Sequence, residues 1–219
     1  MFQHILVPLD GSPLAECVLP HAVAIAKAFH SRITLLQVVE RAESTNPTQS
    51  VDPLGWHIRK AEVGVYLDNL TGQFQKLGVQ TTSALLEGKP VEQISDFLHH
   101  QDIDLIILSS HGRSGLSGWN ISSMVQKILL YAYIPALIVR AYRPIAGDID
   151  KFRYDRVLVP LDGSQRAECV LPMVVSLTHD QESQLVLSHL VARPEMPRRM
   201  PLTDRETDLV NQIVSCNQE

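Results

Sequence analysis

Apolar positions recur along this chain in two alternating rhythms. Residues 3–9 form a short apolar run that ends in Pro-Leu-Asp-Gly-Ser, and Leu14, Val18, Ala22, Ile25 and Phe29 then follow at spacings of four and three. This pattern predicts a strand, a tight turn and a helix, with Ser12 as N-cap and Pro13 at the first helical position. Arg32 to Val39 is apolar and β-branched, a second strand, so the opening unit is strand, crossover helix and parallel strand. Glu40 to Pro53 turns to Ser, Thr, Asn, Gln and Pro, which predicts a loop. In a parallel sheet that loop lies at the carboxyl edge, where such folds bind ligands.

The alternation continues. Trp56 to Leu77 predicts a long helix with Val63, Leu67, Leu70 and Phe74 in one stripe, stopped by Gly78. A strand over Val79–Leu86, a helix over Val91–His100, a buried strand over Leu105–Leu108, a helix over Met124–Tyr133 and a fifth strand over Pro135–Val139 follow. Five strands linked by helices make an α/β fold with an open, doubly wound parallel sheet. Tyr142 to Phe152 has Pro, Gly and Asp and no periodicity, so it reads as a linker.

Beyond the linker the chain repeats itself. Val7-Pro-Leu-Asp-Gly-Ser-Pro-Leu-Ala-Glu-Cys-Val-Leu-Pro20 recurs as Val159-Pro-Leu-Asp-Gly-Ser-Gln-Arg-Ala-Glu-Cys-Val-Leu-Pro172, and only two of the fourteen positions differ. The offset is 159 − 7 = 152. Such a match is an internal duplication. Ser183–Val191 answers Ser31–Val39, and Asp204–Cys216 answers the start of the long helix. The predicted organisation is a complete α/β domain over 1–142, a linker over 143–152 and a truncated second repeat of strand, helix, strand and helix over 153–219. In that second repeat the strand Arg156–Leu161 is expected to present an open edge that docks on the first domain or on another subunit, dimerisation being the favoured form.

Composition narrows the classes. Among the 219 residues, 45% are hydrophobic and the net charge is −5, with no long basic run, so the electrostatic footprint of a nucleic-acid binder is missing. Arg59-Lys60 and Arg198-Arg199 are the adjacent basic pairs, read as solvated. Neither a signal segment nor an apolar run of membrane-spanning length stands in the sequence, and the expected location is cytoplasmic, without membrane partners. Cys17, Cys169 and Cys216 have no metal-ligand spacing; Cys17 and Cys169 are expected to be buried as small hydrophobes, and Cys216 exposed near the end.

The chemistry concentrates between Leu105 and Val125, Leu-Ile-Ile-Leu-Ser-Ser-His-Gly-Arg-Ser-Gly-Leu-Ser-Gly-Trp-Asn-Ile-Ser-Ser-Met-Val. A buried strand that feeds a small-residue loop and then a helix N-terminus builds an anion site, because backbone N–H groups reach a phosphate and the helix adds unpaired donors and a positive dipole end. Arg113 can pair with phosphate as a planar donor fork, and His111 can donate from backbone or ring. Trp119 is expected to pack, and the pair His99-His100 to lie at a helix end.

The Val-Pro-Leu-Asp-Gly-Ser entry and the Ser-Ser-His-Gly-Arg-Ser-Gly-Leu-Ser run together resemble the universal stress protein family, in a tandem form with a truncated second copy. The resemblance implies a sheet in the order 3-2-1-4-5 and ATP or AMP at the carboxyl edge between strands 1 and 4. The family's ATP signature, G-x2-G-x9-G-[S/T], lays its first Gly on Ser109, its second on Gly112, its third on Ser122 and its last position on Ser123. Two of the three glycines are therefore serine here. Serine at 122 costs about 1 kcal/mol or more of strain if its φ is positive. In compensation, the hydroxyls of Ser122 and Ser123 can bond phosphate or cap the helix.

By the same resemblance Asp10 meets the ribose or a phosphate-bound Mg²⁺, with no metal held by protein groups alone. Pro8 and Leu9 line the base, and Val38 offers backbone groups to the adenine edge. Leu108, Met124 and Val125 complete the site. The implied function is a stress-response regulator, not an enzyme, whose nucleotide sets a conformation or a homodimeric or higher oligomeric state that a protein partner reads. An interaction protein of the same fold that binds no nucleotide is the alternative. A slow ATP hydrolase is the third reading, disfavoured because the sequence has no G-x4-G-K-[S/T] loop.

Overall fold

A computed structural model describes residues 2–40, 53–112, 121–141, 149–179, 183–190 and 203–216. The chain divides into two compact units, residues 1–153 and 154–219.

The first unit is built on five parallel strands, β1 (His4–Leu9), β2 (Arg32–Val39), β3 (Thr81–Glu87), β4 (Leu105–Ser109) and β5 (Ala136–Val139), in the order 3-2-1-4-5. The helices are α1 (Leu19–Phe29), α2 (Pro53–Lys76), α3 (Pro90–His100) and α4 (Ser123–Tyr131). Strand β1 is central: Ile5 faces Ile33 of β2 and Leu105 of β4. Because the order reverses on either side of β1, α1 and α2 cross one face and α3 and α4 the other. On the α3/α4 face Leu6, Leu36, Ile106 and Ile128 form a core with Ile94, Leu98 and Val125. On the other side Leu67, Leu70 and Phe74 of α2 are buried, while Val63 of the same stripe is only half-buried. Among the described residues no helix is long and apolar enough to cross a membrane.

The start of α1 departs from the continuous helix that its spacing predicts. Ser12 does cap, accepting from Ala15 N at 3.2 Å, but Ala15–Val18 is a 3-10 turn and the α-helix begins only at Leu19. The cause is Pro20. It has no N–H to give the carbonyl of Glu16 four residues back, so that carbonyl takes the N–H of Leu19 instead, an i→i+3 bond.

Part of the stretch read as a linker is also structured. Ile149–Lys151 form a 3-10 turn held against α1 by an ion pair between Lys27 and Asp150 and by the rings of His21 and Phe152, whose centroids are 4.3 Å apart. Arg153 closes the turn, donating to the carbonyls of Asp150 and Phe152 at 2.8 Å each.

The second unit has β6 (Arg156–Leu161), α5 (Gln165–Glu168), α6 (Leu171–Thr178), β7 (Gln184–His189) and α7 (Asp204–Cys216), with β6 and β7 parallel. Its Asp-Gly-Ser turn reproduces the first one. Ser12 N donates to Asp10 Oδ1 and Ser164 N to Asp162 Oδ1, each at 2.9 Å, and Gly11 and Gly163 both take positive φ, 74° and 78°. Among the described residues β6 pairs only with β7. Leu158 is 62% exposed, where its counterpart Leu6 is fully buried. The expectation of a buried Cys169 is corrected on the same ground. Cys17 lies under Ser109 of β4, its Sγ 3.5 Å from the serine hydroxyl, whereas the described second unit has no β4 counterpart and Cys169 is exposed.

Candidate functional site

A cleft of about 590 Å³ opens at the carboxyl ends of β1, β2 and β4. This is the switch point of the sheet, where chains leaving β1 and β4 turn to opposite faces and cannot close the gap between them. Pro8, Leu9 and Asp10 line it from the end of β1, and Val38 lines it from β2. Leu108, Ser109, His111 and Gly112 enter from β4 and the following loop, and Ser122, Met124 and Val125 from the start of α4. Eleven of the thirteen residues singled out in the sequence therefore meet in one cavity. Ser123, the first residue of α4, is exposed and outside the lining. Arg113 and Trp119 lie outside the described residues.

Asp10 and Gly112 are in direct apposition. One carboxylate oxygen, Oδ1, accepts from Ser12 N, and the other, Oδ2, would lie 2.3 Å from a Cβ on residue 112. Residue 112 does not have a positive φ, so what glycine provides is room.

The serines have separable jobs. Ser109 Oγ lies 2.9 Å from the carbonyl oxygen of Leu14 and 2.6 Å from that of His111, so its proton ties the loop after β4 to the turn after β1. Ser110 Oγ accepts from Ala141 N at 3.1 Å and stands 3.0 Å from Nδ1 of His111. With Ala141 N donating to it, the serine hydroxyl also places its own proton if that proton goes to Nδ1. The imidazole then carries its own proton on Nε2, which is buried and has no partner among the described residues.

Ser122 is the N-cap of α4. Its φ is −57° and its hydroxyl accepts from Val125 N at 3.3 Å. The position that the signature reserves for glycine has ordinary backbone here, so serine brings no conformational strain and supplies a cap. A capped N-terminus still leaves other first-turn N–H groups without helical partners, the donors that anions use.

A further wall of the cleft was not visible as a site in the sequence. Arg59, Glu62, Val63 and Tyr66 line it from the first half of α2. The pair read as solvated divides: Arg59 is exposed at the cleft, while Lys60 is half-buried in an ion pair with Glu87. Tyr66 donates to Glu16 Oε1 at 2.9 Å, and its phenol is pushed far above its ordinary value by burial first and then by that carboxylate. The usable signal was Val63, the residue of the apolar stripe nearest the loop at the sheet's carboxyl edge. Gln37, a polar residue within the apolar run of β2, also lines the cleft.

The family model described as the universal stress protein family matches residues 1–140. Universal stress protein MJ0531 of Methanocaldococcus jannaschii is 26% identical over 141 residues, which is 64% of this chain and 83% of that protein. Universal stress protein YxiE of Bacillus subtilis is 28% identical over 149 residues, 64% of this chain and all of that one. Among solved structures, a universal stress protein of Archaeoglobus fulgidus superposes with a TM-score of 0.63 at 19% identity, covering 98% of this chain and 74% of its own. That likeness is one of fold.

Proposed function

This chain belongs to the universal stress protein family, and we propose that it is a regulatory protein holding an adenine nucleotide, ATP or AMP, in the cleft at the carboxyl edge of the sheet. The observation that carries this reading is the apposition of Asp10 and Gly112 at the mouth of α4. A carboxylate able to take hydrogen bonds from a sugar stands beside backbone with no side chain, and beside a helix N-terminus that favours anions. Pro8, Leu9, Val38, Leu108, Met124 and Val125 supply apolar surface for a base, and His111 supplies its Nε2 to a phosphate oxygen. Ser109 acts through the loop it ties, and Ser123 through its place in the first turn of α4. Arg113 adds a cation in this reading by its position in the sequence alone.

Asp10, Glu40 and Glu62 bring three carboxylates to the lining and Arg59 one cation among the described residues. That lining is net negative, so a polyphosphate is held there more readily with its own charge neutralised by Mg²⁺. Mg²⁺ would come to this site with the phosphates, Asp10 being the carboxylate beside them. The nucleotide stabilises one conformation or oligomer, and the effect is as large as its difference in affinity for the two states. The second unit, with β6 paired on one side only among the described residues, is the part we assign to homodimer formation. In this reading the protein is cytoplasmic and does no chemistry on its ligand.

The test is mass spectrometry of small molecules released from the purified protein, together with calorimetric titration of ATP and AMP with and without Mg²⁺. An adenine nucleotide, carried or bound, is the expected result. A protein that carries none and takes up none does not have this function.

A further inference from the structure

Most of the buried polar side chains described in this protein find their partners inside the fold, and two that do not line the cleft. His4, Ser12, Ser31, Thr34, Thr81 and Ser110 are buried, and each makes a side-chain hydrogen bond to another residue of the chain. Gln37 and His111 are buried as deeply, at 4% and 5% exposure, and Gln37 Oε1 and His111 Nε2 have no partner among the described residues. Two further unpartnered atoms, Thr71 Oγ1 and Ser95 Oγ, belong to helix residues outside the cleft lining. His111 is already part of the proposed nucleotide site. Gln37 is not.

The internal duplication supplies a comparison for this position, on an exposed side chain. At the offset of 152, Gln37 corresponds to His189 and Leu9 to Leu161, and both pairs are in register across their two strands. In the second unit the polar side chain is satisfied at home, with His189 Nδ1 2.9 Å from the carbonyl oxygen of Leu161. In the first unit Gln37 Oε1 is an acceptor, so the matching carbonyl of Leu9 cannot serve it, and no donor reaches it among the described residues. A buried acceptor without a donor is costly, and one that lines a cleft is satisfied when a bound molecule brings the donor.

We infer that Gln37 is a specificity-determining residue of the cleft, whose Oε1 accepts a hydrogen bond from an N–H or O–H donor of the bound molecule. This rests on the nucleotide reading above. An adenine nucleotide offers two sources of that donor, the exocyclic amine of the base and the hydroxyls of the ribose. A site that hydrogen-bonds a ligand group through a buried acceptor discriminates strongly against analogues without it, because the acceptor is then left bare. Gln37 would thus make the cleft selective for one such group, which the apolar lining could not do.

The experiment is calorimetric titration of the full chain and of its Gln37→Met variant, similar in volume and without the amide. The ligands are ATP, its analogue lacking the 6-amino group, and 2′- and 3′-deoxy ATP. We expect Gln37→Met to weaken ATP about tenfold, the order of one hydrogen bond to a buried group. We also expect one analogue to bind the two proteins equally, and that analogue names the donor. Equal ATP affinity for both proteins overturns the inference and leaves the nucleotide reading standing. Absence of nucleotide binding by the unaltered chain overturns that reading. Thermal melting without ligand then decides on Gln37 itself: a melting temperature unchanged or raised in Gln37→Met is the result expected of an unsatisfied amide, and a fall of several degrees shows that the amide serves the fold and ends the proposal.

Discussion

The carboxylate of Asp10 stands where the side chain of residue 112 would begin: a Cβ on Gly112 comes to 2.3 Å from Oδ2 and 3.2 Å from Cγ. The contact joins the ends of β1 and β4 across the cleft, and either the carboxylate or the loop must move if it is filled. Gly112→Ala is therefore expected to destabilise the protein by about 1–3 kcal/mol, the usual range for overpacking. Nucleotide affinity should fall at least about tenfold if the carboxylate is the group that moves. Urea denaturation and calorimetry read the two effects. The same substitution on an Asp10→Ala background removes the obstacle, so its stability cost there should be much smaller. Equal costs on both backgrounds would mean that the clash is not with Asp10.

Ser122 and the family's glycine can be compared directly. With φ at −57° and the hydroxyl on Val125 N, serine contributes a cap and no strain. Ser122→Ala should cost about 1 kcal/mol in chemical denaturation, while Ser122→Gly should cost only a few tenths. Restoring the glycine should also leave ATP affinity within about twofold of the starting protein, since no backbone strain exists to relieve. A large gain in affinity with glycine would show that the serine side chain obstructs the ligand.

What could be read from the sequence, and what could not, divides by the range of the interactions. Strand β2 runs from Arg32 to Val39, as its β-branched apolar run predicts, and Gly78 ends α2 with a positive φ of 79°. Those are local matters of side-chain shape and backbone freedom. That residues of β1, β4 and α4 meet at one cleft was legible from the short motifs at strand ends and from the family resemblance, because the topology of a parallel sheet opens a cleft there. The 3-10 turn before Leu19 depends on one missing N–H, at Pro20, which periodicity does not register. The α2 wall and Gln37 depend on which distant residues come together: Tyr66 meets Glu16 only because β1, β2 and α2 are stacked as they are. Cys169 was misjudged for the same reason, since the sequence around it is that of Cys17 and the difference lies in β4, far away in the chain.

That cysteine pair gives a third expectation. Cys17 is 2% exposed and its thiol is pushed up by burial, with a weaker opposing effect from the Ser109 hydroxyl; Cys169 is exposed. Thiolate is the reactive form, so both burial and the raised value protect Cys17. Brief alkylation of the native protein followed by peptide mapping should find Cys169 modified and Cys17 intact, and unfolding in urea should make the two react alike. Prompt native labelling of Cys17 would contradict the packing of β4 on the turn after β1.

The last expectation concerns acid. His21 packs against Phe152, and burial lowers its value from an ordinary 6.5 to about 4, so the fold holds the ring neutral. His4 is shifted the same way, burial first and then the charge of Arg32. An unfolded chain takes up these protons near 6.5 and the folded one resists, so the unfolded state binds more protons throughout the interval between. Stability from His21 is therefore fully present above pH 6.5 and is lost as pH falls from there towards about 4. Asp150, held below its ordinary 3.8 chiefly by the hydrogen bond from Lys27, acts in the same direction only at lower pH. Urea denaturation at half-unit steps should show stability falling from pH 6.5 to 4, and His21→Leu, which keeps an apolar contact with Phe152, should flatten much of that fall. If the variant declines as steeply as the unaltered chain, the proton that destabilises the fold in this interval enters elsewhere, and His4 is the next ring to replace.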